Sequence, residues 1–347
     1  MPESPSHADR LTPRTTHVWH GHDGRISNNR KHENRRQTMR QFIFLGLFLW
    51  ALSRGAMGAQ GVTYGGPVGG TDIQNAYLPP TPGLYGSFIG VGAYGDQFYD
   101  NSGKSSVTSV RMPGGIAEFG LLYVYPFKLF GGTLGSSVAT GYGWGNITVN
   151  GRRQNFKGVN DIYTDVLTWS KHLGSFDGGL PRGLTVKLGY SMVIPTGKYN
   201  TTDLYTTGQN TYYYIPNAAL TYLTGPNILG DGTEFSVHFF LDVAGKNSAT
   251  QYKNGVVADV DVAISEVIGR WQAGVAGYYA RQFTDDRMNG QPVPSGNRFA
   301  SAAVGPVVAY NIPECKCSVK FKAQFSVFTR NSLAPNAAYL FFSKAFN

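Results

Sequence analysis

Charge is scarce in this chain of 347 residues: Asp, Glu, Lys and Arg make up only 15%, against about 25% in average soluble proteins. Cysteine occurs twice, as Cys315 and Cys317, two ligands short of a tetrahedral zinc site and with no other ligand close in sequence. Histidine becomes rare after residue 38, where only His172 and His238 remain. Neither lies beside a Ser or Cys in a nucleophile-elbow context, which excludes acyl-transfer chemistry of that kind. No apolar run after residue 58 reaches transmembrane-helix length. What is abundant is glycine, 45 residues, together with 14% aromatics and 41% hydrophobic residues overall. The hydrophobic content excludes disorder. Each Gly in a helix interior costs about 1 kcal/mol relative to Ala, which excludes a helical bundle, and the absence of a period of three excludes collagen. An all-β chain remains.

The net charge of +9 invites a nucleic-acid reading until the charge is located. Residues 1–58 hold nine Lys/Arg against four acids, and residues 59–347 hold 21 against 17, dispersed along the chain. No basic stripe exists, and nucleic acid is not an expected partner.

Met39 and Arg40 precede an unbroken apolar run from Phe42 to Leu52, closed by Arg54. Eleven residues are too few for a helix across a hydrocarbon core, which takes about 20. With Ala56 and Gly58 at the small-residue positions of a cleavage site, residues 39–58 read as an export signal rather than an anchor, with cleavage before Ala59. Residues 1–38 are polar and without hydrophobic periodicity, and read as an extension upstream of the true start. Its five histidines lack metal-site spacing.

Beyond the leader the pattern has period two. In Leu184-Thr185-Val186-Lys187-Leu188-Gly189-Tyr190-Ser191-Met192-Val193-Ile194 the even positions are large and apolar, while the odd ones are mostly small or polar. Phe235 to Val243 and Val319 to Val327 repeat the rule on their odd positions. Applied throughout, it predicts about twelve strands, near 83–99, 107–125, 133–150, 158–171, 183–195, 211–224, 233–246, 257–268, 270–283, 297–311, 316–330 and 336–346. An even number of long antiparallel strands, with long polar connections alternating with tighter ones, is the pattern of a bacterial outer-membrane β-barrel. The long set includes 151–157, 196–210, 247–255 and 284–296.

A soluble β-sandwich also alternates, but its strands average about 5–6 residues and its exposed face carries charge. Here the polar positions are often Gly, Ala, Ser or Asn. Tyrosines near strand ends, among them Tyr123, Tyr212, Tyr222, Tyr278, Tyr279 and Tyr339, read as interfacial girdles on the large-residue face. Ala338, Leu340, Phe342 and Phe346 give the last strand an apolar face like that recognised by the outer-membrane barrel assembly machinery, interrupted by Lys344 and followed by Asn347.

The small-residue face is then the lumen. Its expected lining is Asp161 and Asp165, Lys187, His238 and Asp242, then Asp259 and Asp261, Gln272 and Gln282, and Lys320, Lys322 and Gln324. His238 and Asp242 lie about 13 Å apart along a strand, too far to touch. A lining of both signs suits either a hydrogen-bonded plug or a narrow selective pore. Cys315 and Cys317 flank Lys316 in a turn, read either as a turn-stapling disulfide or as two free thiols. An extended i, i+2 pair lies about 7 Å apart, beyond disulfide reach. Residues 59–82, rich in Gly and Pro, precede the barrel at 83–347 and have two readings, a hatch in the barrel mouth or a disordered periplasmic leader.

Several segments, in order, resemble the outer-membrane family associated with the meta-pathway of phenol degradation. They are Gly158-Val159-Asn160-Asp161-Ile162-Tyr163, Trp169-Ser170-Lys171-His172, Ile194-Pro195-Thr196-Gly197-Lys198-Tyr199, Ala219-Leu220-Thr221-Tyr222-Leu223-Thr224, Gly277 to Asp286, Gly296-Asn297-Arg298 and Val304-Gly305-Pro306. The resemblance implies a transmembrane barrel in outer-membrane lipid that moves small apolar or aromatic solutes. It brings no catalytic residues and no metal. Passage by diffusion, without cofactor or enzymatic activity, is the reading adopted. A non-conducting structural or interaction barrel is its alternative.

Overall fold

The computed structural model describes residues 64–346. The 1–38 extension, the 39–58 export signal and residues 59–63 lie outside the described residues.

Twelve strands form the wall: β1 (Gly83–Tyr99), β2 (Ser105–Leu129), β3 (Gly132–Val149), β4 (Arg152–Val159 and, after a break at Asn160 and Asp161, Ile162–His172), β5 (Leu180–Ile194), β6 (Tyr213–Leu223), β7 (Gly232–Ala244), β8 (Val257–Ile268), β9 (Trp271–Gln282), β10 (Ala300–Ile312), β11 (Cys317–Arg330) and β12 (Asn336–Ala345). Each pairs antiparallel with its sequence neighbours, and β1 pairs with both β2 and β12, so the sheet closes on itself. Closure leaves no free edge, which the hydrocarbon core demands because no water is present there to satisfy one. Among the described residues no helix is long and apolar enough to cross a membrane. The strands do the crossing.

Alternation sorts every strand into two faces. On β7, Phe235, Phe239 and Leu241 are exposed outward, while Glu234, Ser236, His238, Phe240 and Asp242 are buried inward. On β12, Leu340 and Phe342 face out, and so does Lys344. Tyr278 and Tyr339 correct the girdle expectation: both are buried in the lumen. Consecutive strand residues point to opposite faces, so Tyr279 takes the outward position at one site and Leu340 at the other.

A second correction falls at 151–157, expected as a loop. Arg152–Val159 instead pairs with β3 from Val149↔Arg152 to Tyr142↔Val159. The cause is Asn150-Gly151, whose φ values of 47° and 83° build the two-residue hairpin turn that Asn-Gly favours. The longest connections are 195–212, 283–299 and 245–256, all at the end opposite the two chain ends of the barrel. Three short strands within them, Tyr252–Lys253, Arg287–Met288 and Gln291–Pro292, make a small sheet over that mouth. Long loops mark the outer side and short turns the periplasmic one. In one short turn, Lys316 is left-handed (φ 52°), which folds the chain back and brings Cys315 and Cys317 to a Cα separation of 5.2 Å, where they are disulfide-bonded.

The inside–outside assignment predicts that Val262→Arg, an outward position midway along β8, lowers the unfolding free energy by about 2–4 kcal/mol. Val262→Leu is expected to leave it within experimental error in equilibrium urea unfolding in bilayers.

Candidate functional site in the barrel lumen

The lumen is occupied by the chain itself. Residues 64–79 are buried almost without exception, yet they form neither strand nor helix, only two tight turns closed by Gly70 N–H to Pro67 O (2.6 Å) and Tyr77 N–H to Gln74 O (3.1 Å). A buried backbone without regular structure must find partners for its N–H and C=O groups elsewhere. Here the barrel wall supplies them.

The contacts descend in order from the outer mouth to the periplasmic end. Gln209 of an outer loop donates to the Tyr64 carbonyl (3.1 Å). Asp242 on β7 accepts the N–H groups of Gly65 (3.1 Å) and Gly66 (2.7 Å). A Cβ at residue 66 would stand 2.5 Å from that carboxylate, so glycine permits the approach. Asp261 on β8 accepts Gly69 N–H (2.9 Å) and both the N–H and hydroxyl of Thr71 (2.6 Å each). Gly69 has φ 67°, and a Cβ there would meet the Tyr278 ring at 2.2 Å.

Below this, Asp72 pairs with two lysines of β11, Lys320 at 2.5 Å and Lys322 at 3.1 Å. Lys322 also donates to the carbonyls of Gly69 (2.9 Å) and Gly70 (3.2 Å), and Gln324 to Gly69 (2.7 Å). Spacing of two along one strand is what places Lys320, Lys322 and Gln324 on one face. Lower still, Glu234 accepts Gln74 N–H (2.6 Å) and Gln272 accepts the Gln74 side-chain amide (2.6 Å). Ala76 donates to Thr221 (3.2 Å) and accepts from Ser170 (2.6 Å).

All twelve expected lining residues are buried, Asp161 at the break in β4 and the others within strands, but they divide by task. Asp242, Asp261, Gln272, Lys320, Lys322 and Gln324 hold the N-terminal segment. Asp161, at the break in β4, accepts Gly197 N–H (2.8 Å) and Gln209 N–H (2.7 Å), and so pins the outer loop 195–212. Gln282 donates to Asp286 (2.8 Å), which also accepts Gly255 N–H and the Tyr252 hydroxyl (2.7 Å each) and so ties two further outer loops together. Asp165 bonds to the hydroxyls of Ser137 and Ser191 (2.6 Å each) within the wall. His238 meets Asn217 (3.1 Å) and stacks on Phe240, and it takes no part with Asp242. Lys187 lies within electrostatic reach of Asp165 and Asp261. Among the described residues Asp259 receives no hydrogen bond of full geometry at either oxygen.

Sequence reasoning missed Asp72, Glu118 and Glu234, all buried. Glu234 shares its parity on β7 with His238 and Asp242, so its signal was present. Glu118 lies between outward Phe119 and Ala117 on β2 and carries no neighbouring polar residue to flag it. The lumen thus has two sectors. One, from β12 through β1 and β2 to β3, is apolar, with Tyr85, Ile89, Val91, Leu122, Tyr339 and Phe341 packed around Leu78. The other is rich in charge, and in sum nine buried acids face three buried lysines among the described residues. No three His, Cys, Asp or Glu side chains converge as a ready-made metal centre among the described residues.

Comparison with solved structures agrees with this architecture. The crystal structure of the COG4313 outer membrane channel from Pseudomonas putida F1 matches with a TM-score of 0.65 at 14% identity, over 78% of this chain and 98% of that one. Two autotransporter barrels also match, the β domain of Bordetella BrkA (TM-score 0.46, 10% identity, 76% of this chain and all of that one) and the transport unit of AIDA-I from Escherichia coli (0.47, 12%, 90% and 99%). The comparison with curated proteins returns no match. The family described as "Putative MetA-pathway of phenol degradation" matches residues 95–342, nearly the whole barrel. The chain belongs to that family, and it has the twelve-stranded β-barrel fold of bacterial outer-membrane proteins.

Proposed function

We propose that the barrel passes small apolar or aromatic solutes by diffusion through its lumen, and that residues 59–82 act as a hatch whose displacement opens the path. The observation that carries this reading is how the described part of that segment is held. It fills the lumen through hydrogen bonds, ion pairs and side-chain packing, without joining the sheet and without a disulfide, so its removal breaks no covalent bond and no strand pairing. The wall it leaves includes the aromatic sector around Tyr85, Tyr339 and Phe341, which suits planar apolar solutes. Passage of this kind uses no cofactor. The apolar outward face of β12, with Leu340, Phe342 and Phe346, serves on the same reading as the signal for the barrel assembly machinery. A filled lumen also fits the non-conducting alternative, and one experiment separates the two.

Deletion of residues 64–82 is expected to raise single-channel conductance in planar bilayers several-fold and to make liposomes permeable to small aromatics. A heat-modifiable, folded deletion variant with unchanged conductance overturns the hatch and leaves the structural barrel. In a KCl gradient the opened variant should be cation-selective, because Asp72 leaves with the segment and eight buried acids then face three lysines. An anion-selective reversal potential contradicts that account. Asp72→Asn removes the counter-charge of buried Lys322, a loss that costs about 3–5 kcal/mol in comparable buried pairs. Its open probability should rise well above that of the unaltered protein in the same recordings.

A further inference from the structure

Near the outer mouth, several buried oxygens face one another without donors. Asp259 lies on the inward face of β8, opposite Phe240 of β7 and Ala280 of β9. One inward step toward the mouth, Val257 stands between Asp242 and Gln282 in the same register. Among the described residues neither oxygen of Asp259 makes a hydrogen bond of full geometry, although the Val260 and Gly69 amides lie within its electrostatic reach, and Asp242 uses only Oδ2, on Gly65 and Gly66, leaving Oδ1 free. Gln282 spends its amide nitrogen on Thr284 O and Asp286, so its Oε1 is also free.

An independent group points to the same place. Tyr64, from the N-terminal segment, is 6% exposed and its hydroxyl has no partner. Its ring stacks on Phe299 at 5.1 Å and packs with Val257, Tyr278 and Ala280, the residues that surround Asp259. Asp259 and Asp242 are both within its electrostatic reach. The lumen lysines are engaged elsewhere: Lys320 and Lys322 by Asp72, and Lys187 toward Asp165.

We propose that a hard divalent cation of the calcium class binds between Asp242 and Asp259, beside the Tyr64 hydroxyl. Two carboxylates balance its charge, and carboxylate and amide oxygens are donors calcium accepts, at variable geometry and in numbers of six to eight with water, to which the Tyr64 hydroxyl can hydrogen-bond. The free groups beside Asp242 and Asp259 are oxygens, whereas the free ring nitrogen of His238, a ligand type zinc and copper prefer, stands opposite Asp261, one inward position further from the mouth than Phe240. Because Tyr64 and the Gly65–Gly66 amides share Asp242 with it, the ion would tie the start of the segment to the wall. That consequence rests on the hatch reading, whereas the binding itself does not.

The probe is Tb3+, which occupies calcium sites and emits when excited through nearby tyrosines. With chelator-treated, refolded protein free of lipopolysaccharide, saturable emission should appear and be competed away by Ca2+. Asp259→Asn should weaken it by at least the roughly 10–100-fold that even outer-shell changes cost a metal site. Asp177→Asn, on an exposed periplasmic turn, serves as the control and should leave it unchanged. Absence of Ca2+-competable emission in the folded protein, or equal emission from Asp259→Asn, overturns the site. If Asp259→Asn fails to regain the heat-modifiable band, Asp242→Asn is read in its place by the same criterion. Binding by a protein whose deletion variant shows no conductance change would keep the ion site and remove the hatch.

Discussion

Everything unusual about this lumen follows from one constraint: an irregular stretch of backbone is buried where neither water nor secondary structure can satisfy it. Its amide hydrogens need acceptors, and the wall offers carboxylates at graded depths, Asp242, Asp261 and Glu234. Its carbonyls need donors, and Lys322, Gln324 and Ser170 supply them. Buried carboxylates and ammonium groups are expensive without partners. Segment and wall therefore satisfy each other's buried polar groups.

Much of the fold is legible in the sequence because a barrel between lipid and a narrow lumen imposes the period-two pattern on every strand. The inward placement of Lys187, His238, Asp242, Lys320 and Lys322 follows from parity alone. Parity is silent where backbone geometry decides, as at Asn150-Gly151, whose two-residue turn lets β4 begin at Arg152, inside the expected loop. It also cannot assign two adjacent tyrosines to one face, as Tyr278 and Tyr279 demonstrate. The path of residues 64–79 is illegible for a different reason. It has no periodicity, and its anchors lie between 94 and 255 positions away in the chain, as with Asp72 and Lys320, so only the closed barrel brings them together.

The charge that looked global is local. Five of the nine excess positive charges lie before residue 59, while the barrel interior carries the opposite sign, with six more buried acids than lysines. A whole-chain isoelectric point thus misstates what a solute in the lumen would meet. The apolar sector of β12, β1, β2 and β3 adds a second asymmetry, and Glu118 sits alone within it.

The segment joins β1 at Gly83 on the periplasmic side, yet its Tyr64 end reaches the outer mouth. Such a tether gives withdrawal a direction. With about 19 residues at roughly 3.3 Å each, the leash is long enough to hang free below the barrel, drawn from beneath and not expelled upward. Because β1 forms the seam with β12, the thread has to be laid along the axis before that seam shuts or be fed upward afterwards. On the hatch reading proposed above, opening would retrace the second of those routes in the opposite sense.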